Sequence, residues 1–120
     1  MKTNQEIFDR VATHLLTQNK QSMSMFMYYS CAYRGINGTK CAIGVLIPDK
    51  DYDEGMEGSL SRLMTVYKKV MKKIGLDYDE HSSLLNDLQR CHDNLEPENW
   101  KDELKNIAEK YKLDPVVLEN

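Results

Sequence analysis

Cys31-Ala32-Tyr33-Arg34-Gly35-Ile36-Asn37-Gly38-Thr39-Lys40-Cys41-Ala42-Ile43-Gly44-Val45-Leu46-Ile47 sets an Asn-Gly pair between residues of high strand propensity. Both central positions of a type I′ turn need positive φ, which Asn and Gly tolerate, so the pair predicts a tight β-hairpin. With Asn37 and Gly38 alone in the turn, Ile36 pairs with Thr39, Arg34 with Cys41 and Cys31 with Gly44. The two cysteines then fall on opposite faces; a three-residue loop puts them on one face, and neither register opposes them directly for a disulfide. Upstream, Ser22-Met-Ser-Met-Phe-Met-Tyr-Tyr-Ser30 alternates, which places Met23, Met25 and Met27 on one side of an extended strand. They read as core-facing, although three adaptable thioethers also suit a binding edge. Pro48 stops the hairpin, which is expected over residues 26–47.

Helices are expected on either side. Thr3-x-x-Glu6 is a capping box ahead of the stripe Ile7, Phe8, Val11, Leu15 and Leu16, with the end near residue 19 and His14 flanking the stripe at the surface. A second helix starts at Ser59, carries Leu60, Leu63, Met64, Tyr67, Val70, Met71 and Ile74, and ends at Gly75. A third runs from about Asp79 to Asn94 with Leu84, Leu85, Leu88, Cys91, His92 and Leu95 along one side. Pro97 opens a fourth, carrying Trp100, Leu104, Ile107, Ala108 and Tyr111 to a stop at Asp114-Pro115. The tail frays unless Val116, Val117 and Leu118 dock. The fold class is therefore α+β and mainly helical, about four helices packed against one β-hairpin or small antiparallel sheet, in a single domain over residues 1–120.

A chain of 120 residues, 41% hydrophobic and 29% charged, has enough apolar surface for one modest core. Sixteen Lys and Arg against 19 Asp and Glu leave a charge of −3, which excludes the broad basic field that drives nucleic-acid binding. Any such contact is confined to a local patch, Lys68, Lys69, Lys72 and Lys73, whose simplest role is a solvated helix face. The mean hydropathy of −0.62 and the lack of an apolar run of about 20 residues argue against a membrane span, and no signal peptide is evident. The expected compartment is the cytoplasm. Three cysteines, Cys31, Cys41 and Cys91, without export signal or C-x-x-C spacing, read as free thiols rather than a disulfide or zinc framework. Neither metal nor cofactor is expected. The acidic loop Asp49-Lys50-Asp51-Tyr52-Asp53-Glu54-Gly55-Met56-Glu57 fails as an EF-hand, since its sixth and twelfth positions hold Glu54 and Leu60.

Chemistry concentrates in Cys-x-Tyr-Arg-Gly-x-x-Gly-x-Lys-Cys-Ala-x-Gly-x-Leu-Ile-Pro-Asp over residues 31–49, with Leu88-Gln89-x-x-His92-Asp93 as a second element. The combination resembles a family of small proteins encoded by tailed phages, prophages and some bacteria, which carries no assigned activity, substrate or cofactor. The likeness runs from the first helix to about Trp100. It implies origin: a phage or mobile-element protein acting inside a bacterial host. Two functions follow. The first is a non-catalytic protein that binds and modulates a host macromolecule, such as a host enzyme or an anti-phage defence complex. Tyr33 and Arg34 at the hairpin are its anchors, because Tyr and Arg are enriched in binding hot spots, and Asp49, Asp51, Asp53 and Glu57 supply a negative face. Arg34 has an internal alternative, pairing with Glu57 or Asp93. The second function is a cysteine-dependent hydrolase or transferase, with Cys41 or Cys31 as nucleophile, His92 as base and Asp93 or Glu57 orienting it.

Overall fold

Helix α1 spans Asn4–Gln18 in the computed structural model, which describes residues 1–24 and 30–119. Its capping box forms: the Thr3 hydroxyl accepts from the Glu6 N–H and the Glu6 carboxylate accepts from the Thr3 N–H, so two orphan donors are satisfied. Asn19 ends it in the left-handed conformation, φ 52°, with its N–H on the Leu15 carbonyl. Helix α4 (Tyr78–Asn94) is capped by Asp77, which accepts from the Glu80 N–H, and α5 (Pro97–Lys110) opens on the predicted proline.

The predicted Ser59–Gly75 helix is two helices, α2 (Leu60–Val66) and α3 (Lys68–Lys73), broken at Tyr67 with φ −106° and ψ 32°. Two side chains act at the break. The Thr65 hydroxyl donates back to the Ser61 carbonyl (2.8 Å), a contact that bends helices, and the Tyr67 hydroxyl reaches out to Asp53 (2.8 Å). Ser59 and Gly75 are the termini the sequence predicts: the Ser59 hydroxyl accepts from the Arg62 N–H, and Gly75 sits at φ 90°, a backbone that favours glycine.

The β-hairpin of residues 26–47 does not form. Its turn does: Asn37 (φ 56°) and Gly38 (φ 75°) both take positive φ, and the Thr39 N–H reaches the Ile36 carbonyl at 3.2 Å. The arms go elsewhere. Ala32 N–H donates to Ser22, Ile36 N–H to Met23 and Ser24 N–H to Ser30, with one isolated bridge joining Met23 and Cys31. The Tyr33 and Arg34 N–H groups go to the Glu57 carboxylate instead of to a partner strand. Beyond Lys40 the chain winds into helical turns, with Val45 N–H on Cys41, Leu46 N–H on Ile43 and Ile47 N–H on Gly44. The physical reason is burial on every side. Each residue from Cys41 to Ile47 is buried, whereas a hairpin arm with one solvated face would expose alternate positions. Cys31 and Cys41 therefore share no ladder, and the α+β expectation is corrected: among the described residues there are five helices and several short 3-10 turns, with no strand or sheet. Met25 and Met27 lie outside the described residues.

Helix α1 is the central element, packing on α4, α5, the Gly44–Leu46 turn and the Val116–Glu119 turn, while α2 packs on α4. Trp100 of α5, Phe8 and Leu15 of α1 and Leu85 of α4 are among the large side chains fully buried in one continuous core. The tail docks through Leu118, which is 1% exposed. A reciprocal clasp holds it near α1, since Gln5 donates to the Asp114 carbonyl (2.9 Å) and accepts from the Asp114 N–H (2.8 Å). No helix among the described residues is long and apolar enough to cross a membrane.

Candidate functional site

The residues of the 31–49 motif are tied to one another. The Arg34 guanidinium donates to the carbonyls of Gly44 (2.7 Å) and Ile47 (2.5 Å), pairs with Asp49 (3.1 Å) and lies over the Tyr52 ring, 4.6 Å from its centroid. Its planar fork thus adds a second donor to the Gly44 carbonyl, which already accepts from the Ile47 N–H, and takes the Ile47 carbonyl at the end of the wound segment. The Glu57 carboxylate holds the backbone of the same stretch, accepting from Tyr33 N–H (2.8 Å), Arg34 N–H (3.1 Å) and the Tyr52 hydroxyl (2.6 Å). Tyr33 is buried and donates its hydroxyl to the Gly58 carbonyl at 2.8 Å. Gly44 has a steric reason: a Cβ there would overlap the Tyr33 carbonyl.

This knot fixes the acidic loop as a rim. Asp49 is held by Arg34 and Lys40 (3.2 Å), and these cations keep its exposed carboxyl below the ordinary range, Lys40 foremost. Asp51 is nearly covered and pairs with Lys73 (2.9 Å); Asp53 caps the following turn through the Gly55 N–H (3.0 Å) and accepts from Tyr67. Of the predicted binding residues, Tyr33, Arg34 and Glu57 point inward, and Asp49 and Asp53 remain on the surface with Glu54. Within the lysine patch, Lys73 is paired with Asp51, and Lys68, Lys69 and Lys72 are exposed.

A second network gathers the predicted catalytic types. His92 is fully buried, stacked on Trp100 at 5.5 Å, with Nδ1 2.7 Å from Asp93 and Nε2 2.9 Å from the Ser22 N–H. The backbone N–H can only donate, so Nε2 accepts and the ring proton sits on Nδ1, pointing at the carboxylate. Asp93 also receives the Gln89 amide (2.7 Å) and a hydrogen bond from the Cys31 thiol. Burial works to raise its carboxyl, but the bonds from His92, Gln89 and Cys31 prevail and hold it below the ordinary value.

Cys31, His92 and Asp93 offer ligand or catalytic atoms within 4.8 Å of one another, so the sulfur beside the imidazole is that of Cys31. Their chemistry is nevertheless closed. A base or a metal needs an imidazole lone pair, and the one available on His92 is occupied by the Ser22 N–H. Burial, then the Asp93 charge, pushes the Cys31 thiol up to about 12; Cys41, fully enclosed and accepting from the Gly44 N–H (3.3 Å), is also pushed up to about 12 by burial, as is Cys91. Such thiols are far from the depressed values of nucleophilic cysteines.

Several residues of these networks carry no role in the sequence reading. Gln89 had a signal, since its spacing of four from Asp93 puts both on one helix face, and it also accepts from Ile43 N–H (3.1 Å). Gln21 had none: its amide donates to the carbonyls of His92, Asp93 and Leu95 at the end of α4, a contact only the tertiary fold creates. Compared with known proteins, the chain matches no family model, no curated protein and no solved structure.

Proposed function

We propose that this chain is a phage or mobile-element protein that binds and modulates a host macromolecule without catalysing a reaction, and that its acidic rim meets the partner. The observation that carries the reading is the clamp of Arg34 and Glu57, which fastens the 49–57 loop to the core while Asp49, Asp53 and Glu54 stay exposed. A loop already ordered loses little conformational entropy on association, which favours affinity. Its charge is complementary to a basic surface, such as the nucleic-acid-facing side of a host enzyme or defence complex. The phage origin rests on the resemblance of the 31–49 motif. The alternative, a cysteine enzyme using Cys41, His92 and Asp93, lacks comparable support, because the Cys41 thiol is enclosed and raised and the His92 lone pair is occupied.

The test is co-purification from bacterial lysate with tagged wild-type protein, a D49N/D53N/E54Q variant and Cys31→Ser. Capture of a defined partner should fall about tenfold in the triple variant and weaken with salt, as charge complementarity requires. Cys31→Ser should capture it normally. Equal capture by the triple variant, or loss in Cys31→Ser with the fold intact, would overturn the reading.

A further inference from the structure

Helix α1 has a polar face as well as its buried one. Arg10, Thr13, His14 and Thr17 recur at i, i+3, i+4 and i+7 on that face, with Lys20 just past its end. The Asn37-Gly38 turn and Thr39 stand across from them, and the two walls bound a cleft of about 510 Å³. Its size is in the range of small-molecule sites. Its lining holds two cations and no carboxylate, in a chain whose net charge is −3.

The cations are available. Arg34, Lys40, Lys73, Arg90 and Lys110 each pair with an aspartate, whereas the side chains of Arg10 and Lys20 have no hydrogen-bond or ion-pair partner among the described residues. Two carbonyls beside the cleft, those of Lys20 and Lys40, are engaged by donors. The Gln18 amide donates to Lys20 O (2.8 Å) and Lys40 O (2.9 Å), and His14 Nε2–H donates to Lys40 O (2.8 Å). That contact leaves His14 Nδ1 as an acceptor. Burial first, with the charges of Arg10 and Lys40 adding to it, lowers the imidazole against the pull of the Lys40 carbonyl. The cleft therefore combines positive charge with hydroxyls and one ring acceptor. Apart from His14 no ring lines it, which disfavours single-stranded nucleic acid, whose bases stack on aromatic side chains.

We propose that this cleft binds a small phosphorylated polyol of the sugar-phosphate class, its phosphate held by Arg10 and Lys20 and its hydroxyls by Thr13, Thr17 and His14. The site is independent of the acidic rim. The experiment is an amide NMR titration of the ¹⁵N-labelled chain with ribose 5-phosphate, with ribose, inorganic phosphate and a single-stranded oligonucleotide as separate arms. Ribose 5-phosphate should give saturable shifts at Thr13, Thr17 and Gly38, half-complete near or below about 1 mM. Ribose and phosphate alone should each bind at least about tenfold more weakly. Arg10→Gln and Lys20→Gln replace exposed side chains, and each should raise the half-saturation concentration about fivefold or more; K69Q/K72Q should leave it unchanged. The proposal is overturned by the absence of saturable shifts up to roughly 20 mM. It is equally overturned by shifts centred on Lys68–Lys73, by unaltered binding in a folded R10Q/K20Q variant, by ribose binding as tightly as its phosphate, or by an oligonucleotide occupying the cleft when ribose 5-phosphate does not.

Discussion

Glu57 joins parts of the chain that no local rule connects. Its two oxygens receive three donors, two from the backbone of Tyr33 and Arg34 and one from Tyr52, so an amide of the same shape both removes the charge and turns one acceptor into a donor. Hydrogen bonds to charged groups contribute about 1.5–3 kcal/mol, and an amide can accept through only one of its two positions. Glu57→Gln should therefore lower stability by roughly 2–4 kcal/mol in urea unfolding, on the scale of a lost charged bond plus a mispaired donor. A loss under about 0.5 kcal/mol, the level of an ordinary surface substitution, would remove Glu57 from this role. His92 makes the complementary point. A histidine next to an aspartate in sequence suggests catalysis, yet the partner that settles its proton is a main-chain N–H of Ser22, which no side-chain pattern announces.

Among the elements, the C-terminal turn Val116–Glu119 adds a fully buried side chain to the core from only four residues. Leu118 is enclosed against a scaffold formed by α1 and α5, so Leu118→Ala leaves a cavity and should cost about 2–5 kcal/mol. Chemical denaturation checks this; a cost near zero would mean that the turn is detached in solution. The helices were legible because their ends are written locally, in Thr3 with Glu6, in Ser59, Gly75 and Pro97. The turn at Asn37-Gly38 was legible for the same reason, since both residues take the positive φ that their types permit. Its arms were not. An uninterrupted apolar run such as residues 41–47 fits a buried strand or a helical turn equally well by periodicity. What separates the two is the destination of the Tyr33 and Arg34 N–H groups, and that lies at Glu57, beyond the window any local pattern covers. The candidate site was legible to the same extent: the His92-Asp93 pair and the clustered motif could be read, while the inward direction of Arg34 and Tyr33 followed from the tertiary fold.

Across the whole molecule, the buried polar network makes stability depend on pH with a definite sign. The Asp93 carboxyl lies below its ordinary value of 3.8 in the fold, despite burial, through His92, Gln89 and Cys31. In the unfolded chain it returns to that ordinary value. Its contribution is then complete above the unfolded value and disappears as pH falls through the folded one. Asp87 behaves in the same sense, with burial opposed by Lys110 and Tyr111. The stability gap between wild type and Asp93→Asn should consequently be widest above about pH 5 and narrow steadily towards pH 2–3. A gap that is constant over that interval, measured by urea midpoints, would show that Asp93 has no depressed carboxyl in the fold. The Gln5–Asp114 clasp spans 109 residues of sequence, and the elements that cover α1 lie mostly in the second half of the chain. Ribosomes add about 5–20 residues per second, so the N-terminal helix waits roughly 5–25 s for its final covering while translation proceeds. Until those later elements are made, Phe8, Val11 and Leu15 lack the α4, α5 and Val116–Glu119 surfaces that α1 packs on in the finished fold.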